Sequence, residues 1–177
     1  MAKYNEPNPY AGYGAAMASR KNDPMAVEWQ NQNDKKIAEA TKPEALASHL
    51  WSSEKAAALL ARVKPGYQTD PIDLVVIAAV SQYVMEALLG RPSNPAGCQG
   101  RCRTPGAVPC QRKLWNNALI EACRKTKDPY VQTFMLDQLR WCSCKCRLGE
   151  IGKLKDVAVN DEVKQTLAFV IEELQAR

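Results

Sequence analysis

Asp128 to Cys146, DPYVQTFMLDQLRWCSCKC, is the stretch on which the reading of this chain turns. Asp128 is suited to an N-cap, because its carboxylate can accept from the free N–H groups of a first helical turn. Pro129 behind it stands where a missing donor costs nothing. Val131, Met135, Leu136, Leu139 and Cys142 follow at three- and four-residue steps, and Phe134 and Trp141 widen that stripe. The spacing predicts a central helix packed on more than one side. Gln132, Thr133, Asp137, Gln138 and Arg140 are its polar positions, and Asp137 and Arg140 are spaced to pair on one face. The stretch ends in three alternating cysteines.

Working backward, Ile72 to Leu89 is predicted to be a helix that is apolar nearly all round, launched by a second cap-then-proline signal, Asp70-Pro71, and closed by Gly90. Pro43 starts an earlier helical stretch with Leu46 and Leu50 on one face. A break near Trp51 and a cap at Ser52 or Ser53 lead into Lys55 to Val63, and 64–69, KPGYQT, is a turn. Residues 1–42 form an N-terminal extended arm carrying Tyr4, Tyr10 and Tyr13, with a short helix from Asp23-Pro24 to Ala40 on Met25, Trp29, Ile37 and Ala40.

Residues 91–109 hold four prolines and three glycines, too many residues for a simple connector, and loops of this kind are functional, stapled or disordered. Cys110 to about Thr126 reads as a helix. Beyond the opening stretch, Leu148, Ile151, Leu154 and Ala158 mark a fifth long segment. Asn160-Asp161 then caps a last helix, with Val163, Leu167, Val170, Ile171 and Leu174 inward and a polar outer face.

Helix, short turn, Asp-led cap and second helix recur in LWSSEKAAALLARVKPGYQTDPIDLVV, LWNNALIEACRKTKDPYVQTF and IGKLKDVAVNDEVKQTL. Over about residues 43–176 this resembles the HEAT and armadillo-like class of α-solenoids, carried by DPIDLVVIAAV, DPYVQTFMLDQL and NDEVKQTLAFVIEEL. The resemblance implies an all-α fold, a right-handed stack of about three antiparallel hairpins that offers a binding surface to another macromolecule. The Asp caps stand 58 and then 33 residues apart, and the loop at 91–109 interrupts the pattern. An irregular helical bundle is therefore the alternative.

A chain of 177 residues buries enough surface for a core without staples, yet it carries seven cysteines. Stacked hairpins place consecutive connections on one edge, so Cys98, Cys102 and Cys110 are expected to face Cys142, Cys144 and Cys146. Cys123 is left over on an inward stripe as a small hydrophobe. The six thiols suit disulfides, which would imply an extracytoplasmic protein. They also suit a zinc ion held by four of them, although C-x3-C and C-x-C-x-C are not the usual knuckle spacing. Free thiols, or a redox pair favoured by Arg101, Arg103, Lys145 and Arg147, are the third option.

No catalytic set is recognisable. The one histidine, His49, lies beside an apolar face and reads as a half-buried packing residue, which leaves no histidine-dependent nucleophile pair. Residues 91–155 carry 13 Lys and Arg against 4 Asp and Glu, a net +9 within a chain of +5. Such a segment suits an acidic partner surface, anionic lipid or nucleic acid. Met1 to Tyr10 has no apolar core of a signal peptide, so a cytosolic chain and one numbered after cleavage both stay open. No run reaches the length of a membrane span.

These features predict a non-enzymatic protein-interaction or scaffold domain without a cofactor. A nucleic-acid-binding helical repeat is the second reading and a thiol-dependent redox protein the third.

Overall fold

The structure, a computed structural model, describes residues 24–66, 68–89 and 111–176. The chain divides into two compact units, residues 1–38 and 39–177. The first helix, α1 (Pro24–Ala40), opens on the predicted proline. Its middle is polar, with Gln32 donating to Glu28 one turn back.

All the regular structure described in the second unit is helical. It comprises α2 (Pro43–Ser48), α3 (Ser53–Leu60), α4 (Pro71–Leu89), α5 (Gln111–Lys125), α6 (Pro129–Cys142), α7 (Leu148–Gly152) and α8 (Asp161–Ala176). Two 3₁₀ turns, Lys145–Arg147 and Lys153–Asp156, flank α7. The predicted caps form. Ser52 Oγ accepts from Lys55 N–H at 3.3 Å, Asp128 Oδ1 from Val131 N–H at 2.9 Å, and Asn160 Oδ1 from Val163 N–H at 2.9 Å. Each satisfies one of the donors that a helix start leaves free. Asp70 Oδ1 takes the N–H of Ile72 at 2.9 Å in the same role.

The turn between α3 and α4 is closed by Thr69. Its hydroxyl accepts from Lys64 N–H at 2.8 Å and donates to Lys64 C=O at 3.3 Å. Gly66 supplies the positive φ of 61° that this reversal needs and that a side chain would oppose.

α6 is the central element. It packs against α4, α5 and α8, and Met135, Leu136, Leu139 and Cys142 are wholly buried. α3 packs on α5, α2 on α4, and α5 on the second 3₁₀ turn, while α7 lies on α8. One continuous core runs from Leu46 to Leu174, with Trp115 as its largest buried side chain.

Three local expectations need correction. The segment after α6 is no long helix but a short one between two 3₁₀ turns. Gly149 and Gly152 lower its helix propensity. Of its apolar residues Ile151 in α7 and Leu154 in the second 3₁₀ turn are buried, and Leu148 is half-buried. Trp141 does not widen the packed stripe, since it is 55% exposed. α4 is not covered all round either, because Val75 is 40% exposed. Gly90 and the loop at 91–109 lie outside the described residues, as do Tyr4, Tyr10 and Tyr13.

Candidate functional site

An open groove of about 820 Å³ lies along α3 and α5. Ala57 and Leu60 of α3 with its C-cap Ala61 form one wall, and Ala118, Ile120 and Ala122 of α5 the other. Val131 and Met135 from the first half of α6 close it below. Alanines recur on both helices, so the trough is shallow-walled and apolar where two helix surfaces approach.

Its rim is charged and internally balanced. Glu121 pairs with Lys125 at 3.5 Å and Arg124 at 3.9 Å, and Arg124 reaches Glu150 at 3.4 Å. Glu150 also holds Lys153 at 3.1 Å, and its carboxyl lies below the usual range, first because Lys153 hydrogen-bonds it. Arg147 donates to Asn117 across the gap between the turn after α6 and the outer surface of α5. Glu54, at the far end of the rim, is also held low, mainly by a hydrogen bond with Ser52.

Beside the groove-lining Val131 stands a buried side chain that the hydrophobic pattern did not single out. Gln132 is wholly buried in α6. Its Nε2 shares its two N–H groups among the carbonyls of Cys123 at 3.1 Å, Thr126 at 3.3 Å and Val157 at 3.0 Å, and its Oε1 accepts from Val159 N–H at 3.0 Å. One amide thereby ties the turn between α5 and α6 to the chain entering α8. In the sequence Gln132 looks like a surface residue. The available signal was its position between Val131 and Phe134, one turn past the cap.

A second buried polar cluster holds the other end of α6. Arg112 donates to the carbonyls of Cys142 and Ser143, both at 2.7 Å, and so satisfies acceptors that the helix end leaves open. Asn116 Oδ1 accepts from Cys142 Sγ at 3.0 Å and from Ser143 Oγ at 3.1 Å. Trp115 Nε1 donates to Ser81 Oγ at 3.0 Å and links α5 to α4.

Elsewhere, Arg140 pairs with Asp137 at 3.2 Å, as the spacing predicts, and with Glu173 at 3.6 Å. Its guanidinium lies 4.7 Å from the Trp141 ring centre and 5.6 Å from that of Phe169. Both aromatics are exposed, Phe169 at 48%. His49 is half-buried, and burial, followed by Arg62 and Lys55, holds its pKa below the ordinary 6.5.

The cysteines separate by environment. Cys142 is a free thiol with no exposed surface, and burial pushes it up to about 12. Cys123 is also free and buried, raised to about 11 for the same reason. Cys144 and Cys146 form a pair at disulfide distance, with their Cα atoms 5.3 Å apart. Cys98, Cys102 and Cys110, expected to face this segment, lie outside the described residues. Among the described residues no group of three or more His, Cys, Asp and Glu side chains could hold a metal ion. No helix among them is long and apolar enough to cross a membrane.

Comparison with protein-family models, with curated proteins and with solved structures gave no match.

Proposed function

We propose that residues 43–176 are a non-enzymatic interaction domain of HEAT-like hairpins that receives a segment of a protein partner in the groove between α3 and α5. The pairing of helices supports the repeat reading. α3 packs on α5, α4 on α6 and α6 on α8, the order expected of stacked hairpins, while α5 also meets α4 and, where a third first helix would stand, only the second 3₁₀ turn. Stacks of hairpins pack in this way because each hairpin exposes on both sides the face that its neighbour covers.

The observation that carries the functional reading is the groove itself, an apolar trough with a charged rim. Ala57 and Ala61 are exposed on its wall and leave room for incoming side chains. Its ion pairs are spent within the rim, which favours an apolar segment flanked by polar residues over a strongly charged ligand.

The basic segment supports nucleic acid less well. Arg112, Arg124, Lys125, Arg140, Arg147 and Lys153 are all engaged with groups of the chain. Lys113, Lys127, Lys145 and Lys155 are the exposed cations of that segment without an ion pair among the described residues. Binding by counterion release weakens steeply with salt. A mobility-shift assay with generic duplex at low and high salt is expected to show no shift, and a salt-sensitive shift would restore the nucleic-acid reading.

The direct test uses the full chain as bait in its native extract, beside Ala57→Arg. The exposed arginine fills the groove and suits a helix. A protein retained by the wild type and lost by a folded Ala57→Arg supports the proposal. Equal retention by both would remove the groove from the account.

A further inference from the structure

The described cysteines fall into two chemical classes. Cys123 and Cys142 are buried in the core, and a thiol there is both inaccessible and poorly ionised. Cys144 and Cys146 lie beyond the end of α6, Cys144 half-buried and Cys146 exposed, with their sulfurs at disulfide distance across one residue.

The turn that carries this pair is anchored independently of the sulfur bond. Upstream, Arg112 holds the carbonyls of Cys142 and Ser143, both at 2.7 Å. Within the turn, Arg147 N–H donates to Cys144 C=O at 2.9 Å. Downstream, the Arg147 side chain is fixed on Asn117, and Ile151 is buried three residues into α7. None of these contacts uses either sulfur atom. Lys145 and Arg147 flank Cys146 in sequence, and nearby positive charge favours the thiolate form.

The geometry points to Cys144–Cys146 as a reversible thiol–disulfide exchange site, entered at the exposed Cys146 by a small thiol of the glutathione class. In the opening step a thiolate RS⁻ attacks Cys146 Sγ. The bond between RS and Cys146 forms, the Cys144–Cys146 bond breaks, and the electron pair leaves on Cys144 Sγ, which takes a proton from water. A second RS⁻ attacks the outer sulfur of the mixed disulfide, releasing RSSR and the Cys146 thiolate. Two thiols of the small molecule are oxidised and the protein pair is reduced by two electrons. RSSR runs the same steps backward to close the pair.

Arg147 and Asn117, which fix the turn, also stand at the groove rim, but the exchange itself needs no partner in the groove, and its failure would leave the binding proposal standing. It is tested on the full chain equilibrated in mixtures of reduced and oxidised glutathione, acid-quenched, alkylated under denaturing conditions and digested with trypsin. Lys145 lies between the two cysteines, so cleavage places Cys144 in residues 141–145 and Cys146 in residues 146–147. The expected result is a linked pair of these peptides, joined at Cys144, that predominates with the oxidised form in excess. It should fall by more than half with the reduced form in excess and recover when the ratio is reversed. Cys123 and Cys142 should stay unpaired throughout.

In Cys144→Ser, Cys146 should accumulate a stable glutathione adduct. In Cys146→Ser, the half-buried Cys144 should accumulate several-fold less. Linkage of Cys144 or Cys146 to another cysteine would overturn the proposal. So would a pair that stays reduced in excess oxidised glutathione, or one that stays closed in excess reduced glutathione. The wild-type measurement decides the matter even if neither variant folds.

Discussion

Gln132 shows at the scale of one residue how a polar side chain specifies this structure. Its amide uses both polar atoms on backbone groups from three places in the chain. Gln132→Leu keeps much of the volume but leaves those carbonyls and the Val159 N–H without their partner. Unsatisfied buried groups cost about 1–3 kcal/mol each, and partial access to water should limit the total to about 3 kcal/mol. Urea denaturation would measure it, and a loss below about 1 kcal/mol would mean that the pin is dispensable. His49 makes a prediction of opposite kind. Its lowered pKa means that the folded chain binds this proton less readily than the unfolded one. Stability is therefore fully present above pH 6.5 and lost as pH falls through the lower folded value. The urea midpoint should drop between about pH 7.5 and about pH 5.5, and His49→Gln should flatten that slope. Glu54, Glu150 and Asp161, with lowered carboxyl pKa values, act in a separate window at lower pH. The half-buried histidine was legible from its place beside Leu46 and Leu50. The Gln132 pin was not, because hydrophobic periodicity describes which positions face inward but not which inward positions are polar.

At the scale of elements, local chemistry decided the helix starts. Asp70, Asp128 and Asn160 each precede a helix, and each accepts from a free N–H where the sequence placed a cap. Such signals involve neighbours only and survive whatever the tertiary structure does. The segment marked by Leu148, Ile151, Leu154 and Ala158 differs from the sequence expectation: only Leu148–Gly152 is α-helical, and Gly149 and Gly152 within it weaken the propensity for a longer helix. This leads to a stabilising substitution. Gly152 has φ −59° and ψ −30°, and an added Cβ would meet nothing within 4 Å. Gly152→Ala should therefore raise stability by about 0.4–1 kcal/mol through the unfolded chain, read as a higher thermal midpoint. Trp141 also differs from expectation, since an aromatic beside a stripe need not point into it. It lies exposed against Arg140 near Phe169. Trp141→Ala should cost less than about 1 kcal/mol, as exposed cation–π contacts do, and a loss of 3 kcal/mol would show that the ring is packed.

For the whole molecule, the all-helical class followed from composition and period, and the opening stretch does form the helix on which α4, α5 and α8 converge. The groove was beyond the sequence. It arises where alanines from α3 and α5, some 60 residues apart, come to line one trough, and only packing brings them together. The reading as an interaction domain joins that trough to the order in which the helices pair. The measurement that tests it most directly is amide hydrogen exchange on the full chain, alone and bound to the protein that it captures. Slower exchange in α3 and α5, with α8 unchanged, is the predicted result. Unchanged exchange in α3 and α5 with protection elsewhere on the chain would contradict it.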